Sequence, residues 1–312
     1  MSDRGQDPRR PEDVPAAEVS RPETAPELRS TRACLGFSRV ECNSGGTTIT
    51  RHLSNFSLGY PARMSRQKIL ITGASSGLGA GMAREFATKG RDLALCARRI
   101  DNLDELKAEL TARHPHVNVA VAALDVNDHE QVPKVFAELS DELGGLDCVI
   151  VNAGIGKGYP LGGGKLWANK ATIETNLVAA LVQIETALEI YKTAGKGHLV
   201  LVSSVLGNVG VPGHKAAYSA SKAGVTSLGQ SLRAEYPSGP IKITVLEPGY
   251  IESEMTAKSE STMLMVDNET GVKAMVDAIE KEKGRAVIPG WPWWPLVELM
   301  KVLPPRFTNR FA

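Results

Sequence analysis

Lys68-Ile69-Leu70-Ile71-Thr72-Gly73-Ala74-Ser75-Ser76-Gly77-Leu78-Gly79 joins an unbroken apolar run to a glycine-rich turn, and the helical pattern GLGAGMAREFATKG (77–90) follows at once. Glycine lets the backbone come close to a phosphate, and a helix N-terminus offers unpaired N–H groups to negative charge. The glycines are spaced G-x-x-x-G-x-G, a trio that gains meaning from the strand before it and the helix after it. Gly73, Ser75, Ser76, Gly77, Leu78 and Gly79 are therefore the first candidate ligand-binding residues, for the pyrophosphate of a nucleotide.

Outward from this turn, strand-like and helical patterns alternate. The strand-like runs are DLALCAR (92–98), VNVAVAALDV (117–126), DCVIVNAG (147–154), HLVLVSS (198–204), IKITVLEP (241–248) and RAVIP (285–289). Between them lie the helical stretches 101–113, 128–144, 168–194 and 218–237. Near-continuous Val/Ile/Leu runs are buried on both faces, which means a parallel sheet sandwiched by helices. The expected fold is α/β: a doubly wound, Rossmann-type parallel sheet of seven strands with helices on both faces. In such sheets ligands sit outside the carboxyl ends of the strands, so chemistry is sought in the residues directly after each one.

The second run ends Cys96-Ala97-Arg98-Arg99, where an acid would hold the ribose 2′-hydroxyl of NAD. An arginine there can pair with a 2′-phosphate through its forked donors, so Arg98, with Arg99 as helper, points to NADP(H) over NAD. Asp125-Val126 follows the third run and Asn152-Ala153-Gly154 the fourth, both on the ligand-facing edge. Tyr218-Ser219-Ala220-Ser221-Lys222 opens a long helix, and its spacing puts phenol and ammonium on one face, a turn apart. A neighbouring cation favours phenolate and is expected to draw the tyrosine pKa toward the working range. Ser203-Ser204 ends the preceding run, where a hydroxyl can hydrogen-bond a substrate carbonyl.

TGASSGLG (72–79), VNAG (151–154), Asn176, VSS (202–204) and YSASK (218–222), in this order, resemble the short-chain dehydrogenase/reductase family over residues 64 to about 290. The resemblance implies that Tyr218 is the general acid/base and that Lys222 binds the nicotinamide ribose and lowers the tyrosine pKa. It also implies that Ser204 polarises the carbonyl and that Asn176 positions a water linking Lys222 to solvent. Ser204 lies one residue further from the tyrosine than the family pattern has it, which leaves Ser203 as the alternative. Pro248-Gly249-Tyr250-Ile251-Glu252-Ser253 resembles the P-G-x-[IV]-x-T segment near the nicotinamide amide, giving Pro248, Gly249, Ile251 and Ser253 as coenzyme contacts. Ser75 and Ser76 stand where many NADP-using relatives carry a basic residue, so coenzyme choice rests on Arg98 and Arg99. The chemistry implied is hydride transfer between the nicotinamide and a carbonyl or alcohol carbon, in the reducing direction for NADPH, by a homodimer or homotetramer built on the helices with Asn176 and Tyr218.

Lys+Arg number 36 and Asp+Glu 35, so no global field attracts nucleic acid. Four dispersed cysteines suit a reducing cytoplasm, and neither they nor the His114/His116 pair has the further ligands of a metal site. Residues 1–63 are rich in Pro, Arg and acids, use no lysine and show no apolar period, so they are expected to be disordered or to precede the true start at Met64. The single oxidoreductase domain is expected over 64–312. Its substrate loop, about 252–271, would form a methionine-rich lid from Met255, Met263, Leu264 and Met265 suited to an apolar ketone or aldehyde. The segment 291–312, with Trp291, Trp293 and Trp294, is read as a lid, an oligomer interface or a weak membrane-surface contact.

Overall fold

Seven strands, β1 (Lys68–Thr72), β2 (Asp92–Ala97), β3 (Val119–Ala123), β4 (Cys148–Val151), β5 (Gly197–Val202), β6 (Ile241–Pro248) and β7 (Arg285–Ile288), lie parallel in the order β3-β2-β1-β4-β5-β6-β7. This is a computed structural model, and it describes residues 67–256, 264–302 and 304. The expectations for residues 1–63 and for Met263 lie outside the described residues.

Alternate side chains of each strand enter opposite cores. Ile69, Ile71, Leu93 and Leu95 face one cluster, covered by α1 (Gly77–Thr88), α2 (Ile100–Arg113) and α7 (Asn268–Glu280). Leu70, Ala94, Val149 and Leu199 face the other, covered by α3 (Gln131–Leu143), α5 (Ala179–Ala194) and α6 (Ala216–Glu235). Burial on both sides is what made the strands read as unbroken apolar runs, and Cys96 and Cys148 belong to them as buried side chains. The order reverses between β1 and β4: chain leaving β1 turns to one side of the sheet and chain leaving β4 to the other, so a crevice opens between their carboxyl ends.

Two local features depart from the sequence expectation. The stretch 168–194, expected as one helix, is α4 (Leu166–Ile173), a π-helical turn (Glu174–Val178) and α5, with Asn176 in the turn. A π-bulge re-aims side chains without ending the helix, and hydrophobic periodicity does not reveal it. The Trp-rich stretch, whose three tryptophans read alike in the sequence, forms the kinked α8 (Gly290–Met300) and divides them between core and surface. Trp293 is fully buried in a third cluster with Tyr250, Val287 and Val297, whereas Trp291 and Trp294 are 80% and 59% exposed. Leu264 and Met265 pack against that same cluster, and Met255 is the exposed methionine among the described residues of the expected lid.

Candidate active site

Thr72, the last residue of β1, ties the two strands at the crevice together. Its hydroxyl accepts from the backbone N–H groups of Asn152 and Ala153, each at 3.1 Å, and its carbonyl accepts from Asn152 Nδ2 at 2.8 Å. The turn that follows needs its glycines. Gly73 has φ +67°, and a Cβ on Gly79 would overlap the Gly73 carbonyl oxygen. The backbone thus folds tightly onto itself and presents the N-terminus of α1 to the crevice.

A cavity of about 580 Å³ runs along the carboxyl ends of the strands, within the size range of ligand pockets. Every site residue read from the sequence lines it except Asn176: the glycine turn, Arg98 and Arg99, Asp125 and Val126, Asn152 to Gly154, Ser204, Tyr218, Lys222, Pro248, Gly249, Ile251 and Ser253. Asn176 stands one layer behind, 1% exposed. Its Oδ1 accepts from Ile155 N at 2.8 Å, and its Nδ2 donates to Ile155 O at 2.9 Å and to Ser221 Oγ at 3.3 Å. Ser221 in turn donates to the Tyr218 carbonyl at 2.7 Å. The asparagine amide is a clip between the loop after β4 and the tyrosine helix.

The two serines at the end of β5 have different surroundings. Ser203 Oγ donates to the Lys222 carbonyl at 2.8 Å and shares a hydrogen bond with Thr226 Oγ1 at 2.7 Å, so it is spent on α6. Ser204 caps the short 3₁₀ turn Val205–Asn208, accepting from Leu206 N at 3.2 Å, and hydrogen-bonds Tyr218. Both serines line the cavity with the phenol, and it is Ser204 that hydrogen-bonds it.

Lys222 is 5% exposed, and its Nζ donates to the Val202 carbonyl at 2.8 Å. Burial lowers its pKa to about 8. The tyrosine departs from expectation. Its pKa is raised, chiefly by burial and further by Tyr250, while the Ser204 hydrogen bond lowers it in part. The reason is geometric: Lys222 Nζ lies 5.9 Å from the centre of the Tyr218 ring and is turned to a carbonyl, so desolvation outweighs the cation.

Arg98 and Arg99 also part company. Arg99 donates to Ser76 Oγ at 2.7 Å and Ser75 Oγ at 3.3 Å, and pairs with Glu254 at 3.1 Å. Arg98 has no ion pair among the described residues and lines the cavity directly. Sequence reading missed Glu254, which lies just past Ser253 in a loop without period, and Lys157, Thr175 and Ile155 on the cavity wall. The nearest signal was position, since each follows a strand end or an element already singled out.

The family model described as short chain dehydrogenase matches residues 67–264. An uncharacterized oxidoreductase of Mycobacterium tuberculosis (strain ATCC 25618 / H37Rv) is 78% identical over 249 residues, which cover 80% of this chain and 98% of that protein. Another uncharacterized oxidoreductase, of Myxococcus xanthus (strain DK1622), is 34% identical over 78% of this chain and 95% of its own length. Among solved structures, the NADPH-dependent 3-quinuclidinone reductase of Rhodotorula rubra aligns with a TM-score of 0.64 at 26% identity, covering 72% of this chain and 90% of that one.

Proposed function

The chain belongs to the short chain dehydrogenase family of oxidoreductases, and we propose that it is an NADP(H)-dependent reductase of an apolar ketone or aldehyde. The observation that carries this is the meeting of Ser204, Tyr218 and Lys222 on the same cavity as the glycine turn and Arg98. The residues fit a dinucleotide: a tight turn at a helix N-terminus for the pyrophosphate, an arginine without an ion pair among the described residues for a 2′-phosphate, and Pro248 to Ser253 toward the nicotinamide. When bound, the reduced nicotinamide supplies the hydride.

The chain's own groups supply the rest. Ser204 Oγ donates to the substrate carbonyl oxygen and orients it beside the phenol. Tyr218, held neutral by its raised pKa, gives its proton to that oxygen as the carbonyl carbon is reduced. Lys222 then offsets the phenolate left behind; with a pKa near 8 it carries its charge at neutral pH yet exchanges protons readily. Asn176 keeps the loop after β4 fixed to the tyrosine helix. Oxidation of the alcohol is the same path reversed. The reading includes a cytoplasmic homodimer or homotetramer; among the described residues no helix is long and apolar enough to cross a membrane, and Leu181 on α5 is exposed.

Fluorescence titration of NADPH and NADH decides the coenzyme. Tight NADPH binding that weakens in Arg98→Ala, with turnover of a carbonyl lost in Tyr218→Phe, is the expected result; a folded protein that binds neither coenzyme refutes the reading.

A further inference from the structure

Two segments contribute to the cavity wall beside Tyr218: residues 152–173, which leave β4 and enter α4 and line it from Asn152 to Lys157, and 203–222, which leave β5 and enter α6 and line it with Ser203, Ser204, Tyr218 and Lys222. Neither contains an aspartate or glutamate, although charges balance at 36 to 35 over the whole chain. Their cationic and titratable basic residues are Lys157, Lys165, Lys170, His214, Lys215 and Lys222.

The fold presses the two segments together. A Cβ on Gly158 would overlap the His214 carbonyl oxygen, so the backbones touch there. The Tyr159 ring meets His214 edge-on at 6.0 Å, and Lys165 Nζ sits 4.5 Å from the centre of the Tyr159 ring. Lys215 Nζ donates to Tyr250 Oη at 2.8 Å. Lys157 lines the cavity, while its carbonyl is held by Thr172. Its ammonium has no acidic partner among the described residues.

Among the described residues neither acid of the cavity pairs with Lys157. Asp125 sits at the end of the third strand and accepts from Asn127, and Glu254 is paired with Arg99. Like charges gathered beside a low-dielectric cleft raise the local concentration of an anion and cost stability unless a ligand uses them.

We infer that the substrate carries an anionic group, a carboxylate or phosphate, on its apolar body, and that Lys157 selects it at the mouth of the cavity. The inference rests on the proposed carbonyl-reducing function, because it reads this end of the cavity as the substrate end. Lysine chemistry suits such selection, since the ammonium is a point charge on a flexible stem that follows a substrate of variable length. Met255, half exposed and against Gly156, gives the adjoining apolar wall.

The test needs no turnover. Octanoate, octyl phosphate and octan-1-ol are titrated calorimetrically into the full chain at low ionic strength, and into Lys157→Gln and Lys157→Glu. At least one anion binds wild type roughly tenfold tighter than the alcohol, and the ranking of the two anions names the chemistry. The advantage falls to near unity in Lys157→Gln and reverses in Lys157→Glu, with alcohol binding unchanged. Equal binding of anion and alcohol by wild type, or an advantage that survives both substitutions, overturns the inference. NADPH titration of the same samples separates this outcome from failure of the functional reading, since Lys157 is not among the residues proposed to hold the coenzyme.

Discussion

Lys222 Nζ donates to the Val202 carbonyl at 2.8 Å while standing 5.9 Å from the centre of the Tyr218 ring. The lysine is therefore anchored to the end of β5 and acts on the phenol as a nearby charge. In the proposed reaction that charge stabilises phenolate only as the proton leaves, which suits Tyr218 to the role of donor. Tyr218→Phe is expected to lower kcat about 10²- to 10⁴-fold, the usual worth of a positioned acid, and to leave NADPH affinity within about twofold. Single-turnover kinetics beside coenzyme titration read the two effects apart.

A buried lysine with a pKa near 8 makes stability depend on pH in a definite direction. The unfolded chain releases this proton near 10.5 and the folded protein near 8, so between them the unfolded state binds more protons and stability rises with pH. Below pH 8 both states are protonated and the penalty for burying the charge is fully present. Lys222→Met removes this dependence. The stability difference between wild type and variant is expected to shift by up to about 3 kcal/mol in favour of wild type from pH 7 to pH 10.5, measured by urea unfolding. A constant difference over that window would show that the lysine titrates normally.

The serines after β5 give a clean contrast. Ser204→Ala removes the hydroxyl that hydrogen-bonds Tyr218, and is expected to lower kcat about 10- to 10³-fold with the fold intact. Ser203→Ala leaves Thr226 Oγ1 without its short partner, and is expected to cost about 1–2 kcal/mol of stability. Activity and melting temperature of the two variants should move in opposite proportions; the reverse pattern would assign the carbonyl contact to Ser203.

The fold was legible because both faces of the sheet are buried: seven runs such as KILIT and HLVLV have no polar alternation to confuse them with an exposed sheet. Most of the site was legible for a related reason, since the residues lining the crevice follow directly on strand ends. What escaped the sequence depends on approach between distant segments. Nothing in VSS distinguishes Ser203 from Ser204 until α6 packs against one of them. The spacing of Tyr218 and Lys222 gives the shared helix face but not the Val202 carbonyl that draws the ammonium aside. The three tryptophans read alike in GWPWWP, yet a kinked helix sends Trp293 inward and its neighbours out.

That split makes the C-terminal segment testable. Trp293 is fully buried, its indole lies where a Gly249 side chain would go, and its Nε1 donates to the Leu264 carbonyl at 3.3 Å. Trp293→Ala is expected to destabilise the protein by about 3–5 kcal/mol. Trp291→Ser and Trp294→Ser should stay within about 0.5 kcal/mol of wild type, as surface substitutions do. Chemical denaturation of the three variants distinguishes a core tryptophan from three equivalent surface ones.

In the proposed function, coenzyme choice turns on the two adjacent arginines. Arg98→Ala is expected to weaken NADPH about 10- to 100-fold, the worth of a charge-assisted hydrogen bond or two, and to leave NADH nearly unchanged. Arg99 starts from a different state, because Glu254 and Ser76 already hold it. Any phosphate that recruits Arg99 must compete with that carboxylate. Glu254→Gln removes the competing charge and is expected to tighten NADPH about threefold, since an exposed ion pair is worth at most about 1 kcal/mol. NADH, which brings no 2′-phosphate, should respond little. An equal gain for both coenzymes would instead mean that Glu254 acts by holding its loop across the glycine turn, and weaker NADPH binding would mean that the carboxylate orients Arg99 for the phosphate.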